Sequence, residues 1–299
     1  MSRCQAQIVH TQLEARAPSQ RFVFKAIKAE ADARPDVSLV AIGGEGVFVK
    51  ELEAALLAGE IDCAVHSLKD LPLQTPDGVT IAAVTEREDA RDAFISRSGR
   101  GFDALPAGAS IGTSSPRRRS QLSCRRRDVQ FVDIRGNVDT RLRKLQDGRY
   151  DAIVLAACGL IRLGLQERIT EYLPFEVMLP EPGQGALAIE ARVPRGGAGQ
   201  ADDAELLQML RGLDDAATRS CVEAERAFLK ALGGGCRVPI AAHAALEGDT
   251  LRLDGVVAAE DGSRAVRGHV SGSRRDHAGL GGQLAAQLRA QGANELLTK

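Results

Sequence analysis

Strand and helix signals alternate through roughly the first 190 residues, and that alternation points to an α/β architecture with mostly parallel sheets. Gln5 to Arg16 has helical spacing, with Ile8, Val9 and Leu13 on one face, and Arg21 to Lys28 reads as a strand. Gly43-Gly-Glu-Gly46 opens a helix over Val47 to Gly59. Short apolar strands are expected at Ile61 to His66, Thr80 to Val84, Ala93 to Ser96, just before Gly112, at Val129 to Ile134, at Asp151 to Leu155 and at Ala186 to Ala191. Helices follow Ser115, Asn137 and Ala156. After a Gly-rich break at Pro194 to Gln200 come helices at Ala204 to Gly212 and Ala216 to Leu232. Val238 to Val270 then holds three alternating strand-like segments, with turns at Gly248-Asp249 and Asp261-Gly262, before a last helix from Asp276 to Ala290. That tail has the pattern of a small α+β domain. Two successive α/β units suit two lobes around a cleft, and in open α/β sheets ligands collect at the carboxyl ends of strands, where Asp70, Arg117 and Arg135 are expected.

The arginines are the most informative residues. In Gly112-Thr-Ser-Ser-Pro-Arg117-Arg118-Arg119, Ser115 reads as an N-cap and Pro116 as the first helical residue, which needs no backbone donor. A helix N-terminus already carries partial positive charge, so Arg117 and Arg118 in the first turn are misplaced for stability alone. An anion at that point resolves the conflict, bound by guanidinium forks, hydroxyls and free N–H groups together. Asp133-Ile-Arg135-Gly-Asn-Val-Asp-Thr-Arg141 repeats the pattern, so a ligand with several carboxylates or phosphates is expected.

Charge balance removes one class of ligand. The chain has 39 Lys and Arg against 40 Asp and Glu, a net charge of −1, so the basic clusters are local and a general nucleic-acid coat is not expected. With no Trp, two Tyr and eight Phe, platforms for stacking single-stranded bases are scarce. The six cysteines (Cys4, Cys63, Cys124, Cys158, Cys221, Cys236) form no C-x-x-C pair and no zinc spacing, so no metal site is expected. Several lie in apolar runs, as small buried cysteines do in a reducing compartment. No signal peptide and no membrane-spanning run is seen, so the expectation is a cytoplasmic protein without a membrane partner.

Individual residues admit two readings each. Asp70, at a strand end between Lys69 and Pro72, is either a turn carboxylate paired with its neighbour or a carboxylate that stabilises cationic intermediates and shuttles a proton. Arg125, Arg126 and Arg127 suit a solvated helix C-terminus, whereas Arg117, Arg118, Arg135 and Arg141 suit anion binding. Arg162, a lone charge in Gly159-Leu-Ile-Arg162-Leu, could equally be the exposed side of an amphipathic helix. Cys236 follows three glycines and precedes Arg237; exposure and a nearby cation favour its thiolate, while most free cysteines are inert core residues.

Five motifs, in order, carry a family resemblance: Val65-His-Ser-Leu-Lys69-Asp70-Leu-Pro72, Gly112-Thr-Ser-Ser-Pro-Arg117-Arg118, Ile134-Arg135-Gly-Asn-Val-Asp-Thr-Arg141-Leu, Pro182-Gly-Gln184-Gly185 and Gly234-Gly-Cys236-Arg-Val-Pro239-Ile. Together they resemble the porphobilinogen deaminases, or hydroxymethylbilane synthases, from about Gln5 to the C-terminus. The resemblance implies two periplasmic-binding-protein-like lobes, residues 1–85 with 186–206 and residues 91–180, plus a small α+β domain at 212–299. It implies a monomeric transferase that polymerises porphobilinogen into a linear tetrapyrrole with release of ammonia, on a dipyrromethane primer joined to Cys236 by a thioether. It makes Asp70 the catalytic carboxylate. It places Lys69, Thr113, Ser115, Arg117, Arg118 and Arg135 around the cofactor, and Arg141, Arg162 and Gln184 on the substrate. Each pyrrole brings two carboxylates, which would supply the misplaced arginines with their anions.

The resemblance also has gaps. Family members begin with a strand and a Thr-Arg-x-Ser-Pro-Leu-Ala-Leu loop, whereas this chain opens Met1-Ser-Arg-Cys and resumes the family pattern at Gln5-Ala6. A first strand, an arginine and a serine are therefore expected to be missing, which leaves neighbouring strands short of a ladder partner. Ala29-Glu-Ala-Asp32 replaces a Thr/Ser-x-Gly-Asp turn, and Glu45 stands where a lysine is usual. The alternative expectation is an impaired member that binds porphobilinogen or a bilane without turnover.

Overall fold

The computed structural model describes residues 1–27, 49–194, 200–234 and 239–297. In chain order the strands are β1 (Cys63–Ser67), β2 (Val79–Val84), β3 (Asp92–Ser96), β4 (Ser110–Gly112), β5 (Gln130–Val132) and β6 (Ala152–Ala156). They continue with β7 (Glu171–Leu173), β8 (Leu187–Arg192), β9 (Ile240–Glu247), β10 (Thr250–Ala258) and β11 (Ala265–Ser273). The helices are α1 (Ser2–Arg16), α2 (Lys50–Leu57), α3 (Pro116–Arg125), α4 (Val138–Gln146), α5 (Ala157–Arg162), α6 (Gln200–Arg211), α7 (Ala216–Ala231), α8 (His277–Ala290) and α9 (Ala293–Leu297). The chain gathers into two compact units, one of Ser2–Arg87 with Ala186–Arg219, the other of Glu88–Gly185 with Ser220–Lys299 and Met1.

In the first unit β8 lies between β1 and β2, antiparallel to both. The period of two along β8 sends Leu187, Ile189 and Ala191 to the face covered by α1 and α6, where Val9, Leu13, Leu207 and Leu210 complete the core. Val9 and Leu13 are four residues apart, so one helical stripe meets one sheet face. Gln5 extends that stripe, and its Nε2 donates to Ser67 Oγ at 2.7 Å, which ties α1 to the end of β1. On the other face Leu56 of α2 packs on Ala64 and Val79.

The expected strand at Arg21 to Lys28 is not formed: Arg21–Ile27 has no regular structure, and Lys28 lies outside the described residues. Alternating Phe22, Val23 and Phe24 express β propensity, but a strand needs a neighbour's ladder, and none of the described strands pairs with this segment. Val23 and Phe24 stay 75% and 53% exposed. The His10 ring stacks on Phe24 at 4.6 Å and Lys25 pairs with Glu60 at 2.9 Å, so side chains hold the segment instead. The glycine loop before α2, Ala29–Asp32 and Glu45 fall outside the described residues.

The second unit contains a mixed sheet in the order β5-β4-β6-β3-β7. Strand β6 is buried on both faces. Its Ala152 and Val154 join Phe94, Phe102, Ile111 and Leu122 under α3, while Ile153 and Leu155 join Leu142, Leu145 and Leu160 under α4 and α5. Burying side chains such as Phe94 or Ile153 stabilises the fold by about 1.5–3 kcal/mol each. Only β4–β5 and β4–β6 are parallel among the described pairs; β3 runs antiparallel to β6 and β7. The expectation of mostly parallel sheets is thus corrected: both α/β sheets contain a strand entering against the direction of its neighbours. Strand β7, three residues on a sheet edge, went unread for want of a pattern long enough to detect.

The C-terminal part is an antiparallel meander, β11-β10-β9, packed against α7, α8 and α9 around Phe228, Leu251, Leu253, Leu284 and Leu288. Gly255 on β10 lets the helices approach: a Cβ there would sit 2.8 Å from both Phe228 Cζ and Leu284 Cδ2.

Candidate active site

The arginine helix begins as its sequence requires. Strand β4 ends at Gly112, where a Cβ would come within 3.0 Å of Ile153, 3.1 Å of Tyr150 and 3.2 Å of Ile134. Thr113 Oγ1 accepts from Ser115 N–H at 3.2 Å, and Ser115 Oγ caps α3 by accepting from Arg118 N–H at 3.4 Å. Pro116 takes the first helical position. Thr113 is buried and Ser115 half-buried.

Arg117 and Arg118 point inward, 4% and 7% exposed. Their anion is Asp92, which opens β3 and is fully buried. Arg117 Nη1 donates to Asp92 Oδ2 at 2.6 Å; Arg118 donates to Oδ1 through Nη2 at 2.8 Å and Nε at 3.1 Å. Burial alone would push the Asp92 carboxyl up; the charges and hydrogen bonds of the two arginines outweigh it and hold the group well below the usual carboxylate range. Further donations run from Arg117 Nη1 to Leu179 O at 2.9 Å and from Arg118 Nη1 to Val154 O at 3.1 Å. Arg117 Nε is buried with no acceptor. The misplacement seen in the sequence is therefore met first from inside the protein, one carboxylate serving two guanidiniums.

Gln184 belongs to the same cluster. It is fully buried, and its Nε2 donates to Ala90 O at 2.8 Å and Asp92 Oδ1 at 3.1 Å. Arg162, at the end of α5, reaches the next residue of that loop, donating from Nη2 to Gly185 O at 2.6 Å.

The second arginine loop is shaped by Gly136 and Asn137. Gly136 has a φ of 115°, and a Cβ would lie 2.6 Å from Thr140 Cγ2. Asn137 caps α4 through Thr140 N–H at 2.9 Å. Arg141 Nε donates to Gly136 O at 2.7 Å. Burial and, after it, the like charge of Arg118 lower the pKa of Arg141. Arg135 is exposed, and its carbonyl accepts from Lys144 Nζ at 2.9 Å.

Lys69 and Asp70 belong to the first unit, in a 3₁₀ turn (Leu68–Asp70) that follows β1. Leu68 N–H donates to Ala186 O at 3.0 Å and Leu71 N–H to Leu68 O at 3.1 Å, so the turn is held from both ends. Asp70 is exposed and Lys69 half-buried. Cys236 and Arg237 lie outside the described residues.

Sequence reasoning missed three buried acids. Asp92 could have been noticed as a charge opening an otherwise apolar strand, Asp92-Ala-Phe-Ile-Ser. Glu225 interrupts the apolar stripe of Cys221 and Phe228 on α7, which Leu232 continues just past the helix end; its Oε2 accepts from Gly183 N–H and its Oε1 from Ala244 N–H, both at 2.7 Å. Glu190 on β8 meets His66 Nε2 at 3.0 Å, both inside the first unit's sheet. Among the described residues no group of three or more His, Cys, Asp or Glu side chains could hold a metal ion, and no described helix is long and apolar enough to cross a membrane.

Fold and site together define an α/β protein whose buried guanidinium cluster suits a small polycarboxylate. Residues 1–197 match the family model "Porphobilinogen deaminase, dipyromethane cofactor binding domain", and residues 219–290 match "Porphobilinogen deaminase, C-terminal domain". The chain is 50% identical over 295 residues to porphobilinogen deaminase of Desulforudis audaxviator, covering 99% of this chain and 93% of the relative. It is 49% identical over 293 residues to that of Roseiflexus castenholzii, covering 98% and 94%. A solved structure, the Bordetella pertussis BvgS VFT2 domain, is similar at a TM-score of 0.38 and 15% identity over 70% of this chain and 76% of that one, too slight a likeness to argue from. The chain belongs to the porphobilinogen deaminase family.

Proposed function

We propose that this chain is a hydroxymethylbilane synthase: a transferase that polymerises porphobilinogen into the linear tetrapyrrole hydroxymethylbilane, releasing one ammonia per unit, on a covalent dipyrromethane primer. The observation that carries the reading is the cluster in which Arg117 and Arg118 share the single carboxylate of Asp92, with Arg141 within electrostatic reach of Arg118. Such a cluster holds surplus positive charge out of water, which costs stability unless an anion from outside completes it.

The donor set suits dipyrromethane. Its carboxylates would meet Arg117, whose buried Nε has no acceptor, with Arg118, Thr113 and Ser115; Arg135, Lys69 and the anchor Cys236 are the further cofactor residues that the family motifs supply. When bound, the primer supplies the nucleophilic pyrrole carbon at which the chain grows. Arg141 and Arg162 meet the incoming substrate, and Gln184 serves it through its hydrogen bond to Asp92. Asp70 accepts a hydrogen bond from a pyrrole N–H and offsets the positive charge that develops as ammonia leaves. Guanidinium forks fixed in advance orient each unit by its acetate and propionate, so that less entropy is lost at the reacting carbon.

The same reading makes the protein a cytoplasmic monomer of three domains, residues 1–85 with 186–206, 91–180 and 212–299. The separate C-terminal sheet supports it, as do Cys4, Cys63, Cys124, Cys158 and Cys221, which are not joined in disulfides.

The test is ammonia release. Incubated with porphobilinogen, the purified chain is expected to liberate one ammonia per porphobilinogen consumed and to carry covalent adducts that step by one pyrrole unit. Porphobilinogen bound and recovered unchanged would identify a binding protein instead.

A further inference from the structure

We infer that Asp92 is a positioning residue, an internal carboxylate that sets Arg117 and Arg118 in the orientation in which they receive the substrate's carboxylates, and that Gln184 acts through it. The inference rests on the proposed function and assigns it a residue that touches no ligand.

The hydrogen bonds that converge on Asp92 point this way. Asp92 takes Arg117 on one oxygen, and Arg118 with Gln184 on the other. A single acid thus fixes two long, rotamer-rich side chains whose conformational freedom would otherwise be lost at the moment of binding. An ion pair serving stability alone would balance one cation with one anion, because each unmatched charge out of water is costly. Here two cations share one anion, and the surplus is left beside a buried Arg117 Nε that lacks an acceptor. The pattern suits a site completed by a second carboxylate arriving from outside.

Gln184 is itself held. Gly183 and Gly185 on either side have φ of 80° and 95°, a conformation that favours glycine. Gly183 N–H is fixed by Glu225, whose other oxygen takes Ala244 N–H on β9. The brace therefore runs from the C-terminal sheet through Glu225, the glycine loop and Gln184 to Asp92, and from Asp92 to both guanidiniums. With its amide turned to Ala90 O and Asp92, Gln184 works as a strut behind the arginines.

The experiment compares Gln184→Met and Asp92→Asn with the wild-type full-length protein. Gln184→Met keeps the volume and both ion pairs and removes the amide's hydrogen bonds to Asp92 and to the Ala90 and Arg91 carbonyls. It is expected to fold, to keep kcat within about twofold and to raise KM for porphobilinogen about tenfold, the weight of one hydrogen bond to a charged group. Asp92→Asn is expected to raise KM further in its folded fraction, and if it does not fold, Gln184→Met decides alone. A folded Gln184→Met with wild-type KM, whatever its Tm, would overturn the inference, because a purely structural strut moves Tm and leaves KM alone. Should the wild-type chain release no ammonia, the proposed function fails separately, and the comparison is made on Kd for porphobilinogen by calorimetry. A wild-type chain that binds no porphobilinogen overturns both.

Discussion

Glu225 Oε2 accepts the N–H of Gly183 at 2.7 Å while its Oε1 accepts the N–H of Ala244 at 2.7 Å, so one fully buried carboxylate joins the Pro182–Gly185 loop to β9. Glu225→Gln keeps one acceptor and turns an NH₂ toward a backbone N–H, leaving a buried donor unpaired. The expected cost is about 1–3 kcal/mol, read as a Tm lowered by several degrees. An unchanged Tm would show that the loop does not depend on this acid.

Asp92 carries a pH signature. Its carboxyl is held below the usual range in the folded chain, so it contributes stability above the unfolded-state pKa of about 4 and loses it as pH falls toward the folded value. Carbon-13 NMR of the Asp carboxyls is expected to show a resonance that stays ionised to lower pH than the others and is absent from Asp92→Asn or Asp92→Ser. If all resonances titrate near pH 4 in the folded protein, the ion pairs with Arg117 and Arg118 are not formed.

Gly112 is expected to accept a side chain only at a cost. Gly112→Ala would press a Cβ against Ile153, Tyr150 and Ile134 at 3.0–3.2 Å, and overpacking of this kind costs about 1–3 kcal/mol. Because Thr113 and Ser115 follow directly, KM for porphobilinogen should rise along with the loss of Tm. A variant as stable and as active as wild type would mean that the β4 end can shift freely.

Cys63 should be chemically quiet. Burial, and after it the neighbouring Asp62, pushes its thiol up to about 11. At pH 8 the native protein is expected to show little iodoacetamide adduct on the peptide containing Cys63 until denaturant is added. Rapid native labelling there would contradict the packing of β1 against α1 and α6.

Much of this could be read from the residues in order. Ser115, Pro116 and Asn137 mark helix starts through side chains that act within three residues, so both arginine loops stood where local chemistry put them. The segment at Arg21 was misread because a strand is a relation between two stretches of chain, and Phe22-Val-Phe24 describes only one of them. Asp92 was missed for a similar reason: 25 residues separate it from Arg117, and nothing in Arg-Asp-Ala-Phe names its partner. Gln184 stood out through its glycine neighbours, but the direction its amide faces depends on Ala90 and Asp92, more than 90 residues earlier.

The central claim is that this chain builds a dipyrromethane primer on Cys236 and extends it. The most direct measurement is the intact mass of the purified protein beside that of Cys236→Ser. The wild-type chain is expected to carry an excess equal to two linked pyrroles and the variant to carry none. Equal unmodified masses for the two proteins, unchanged after incubation with porphobilinogen, would contradict it.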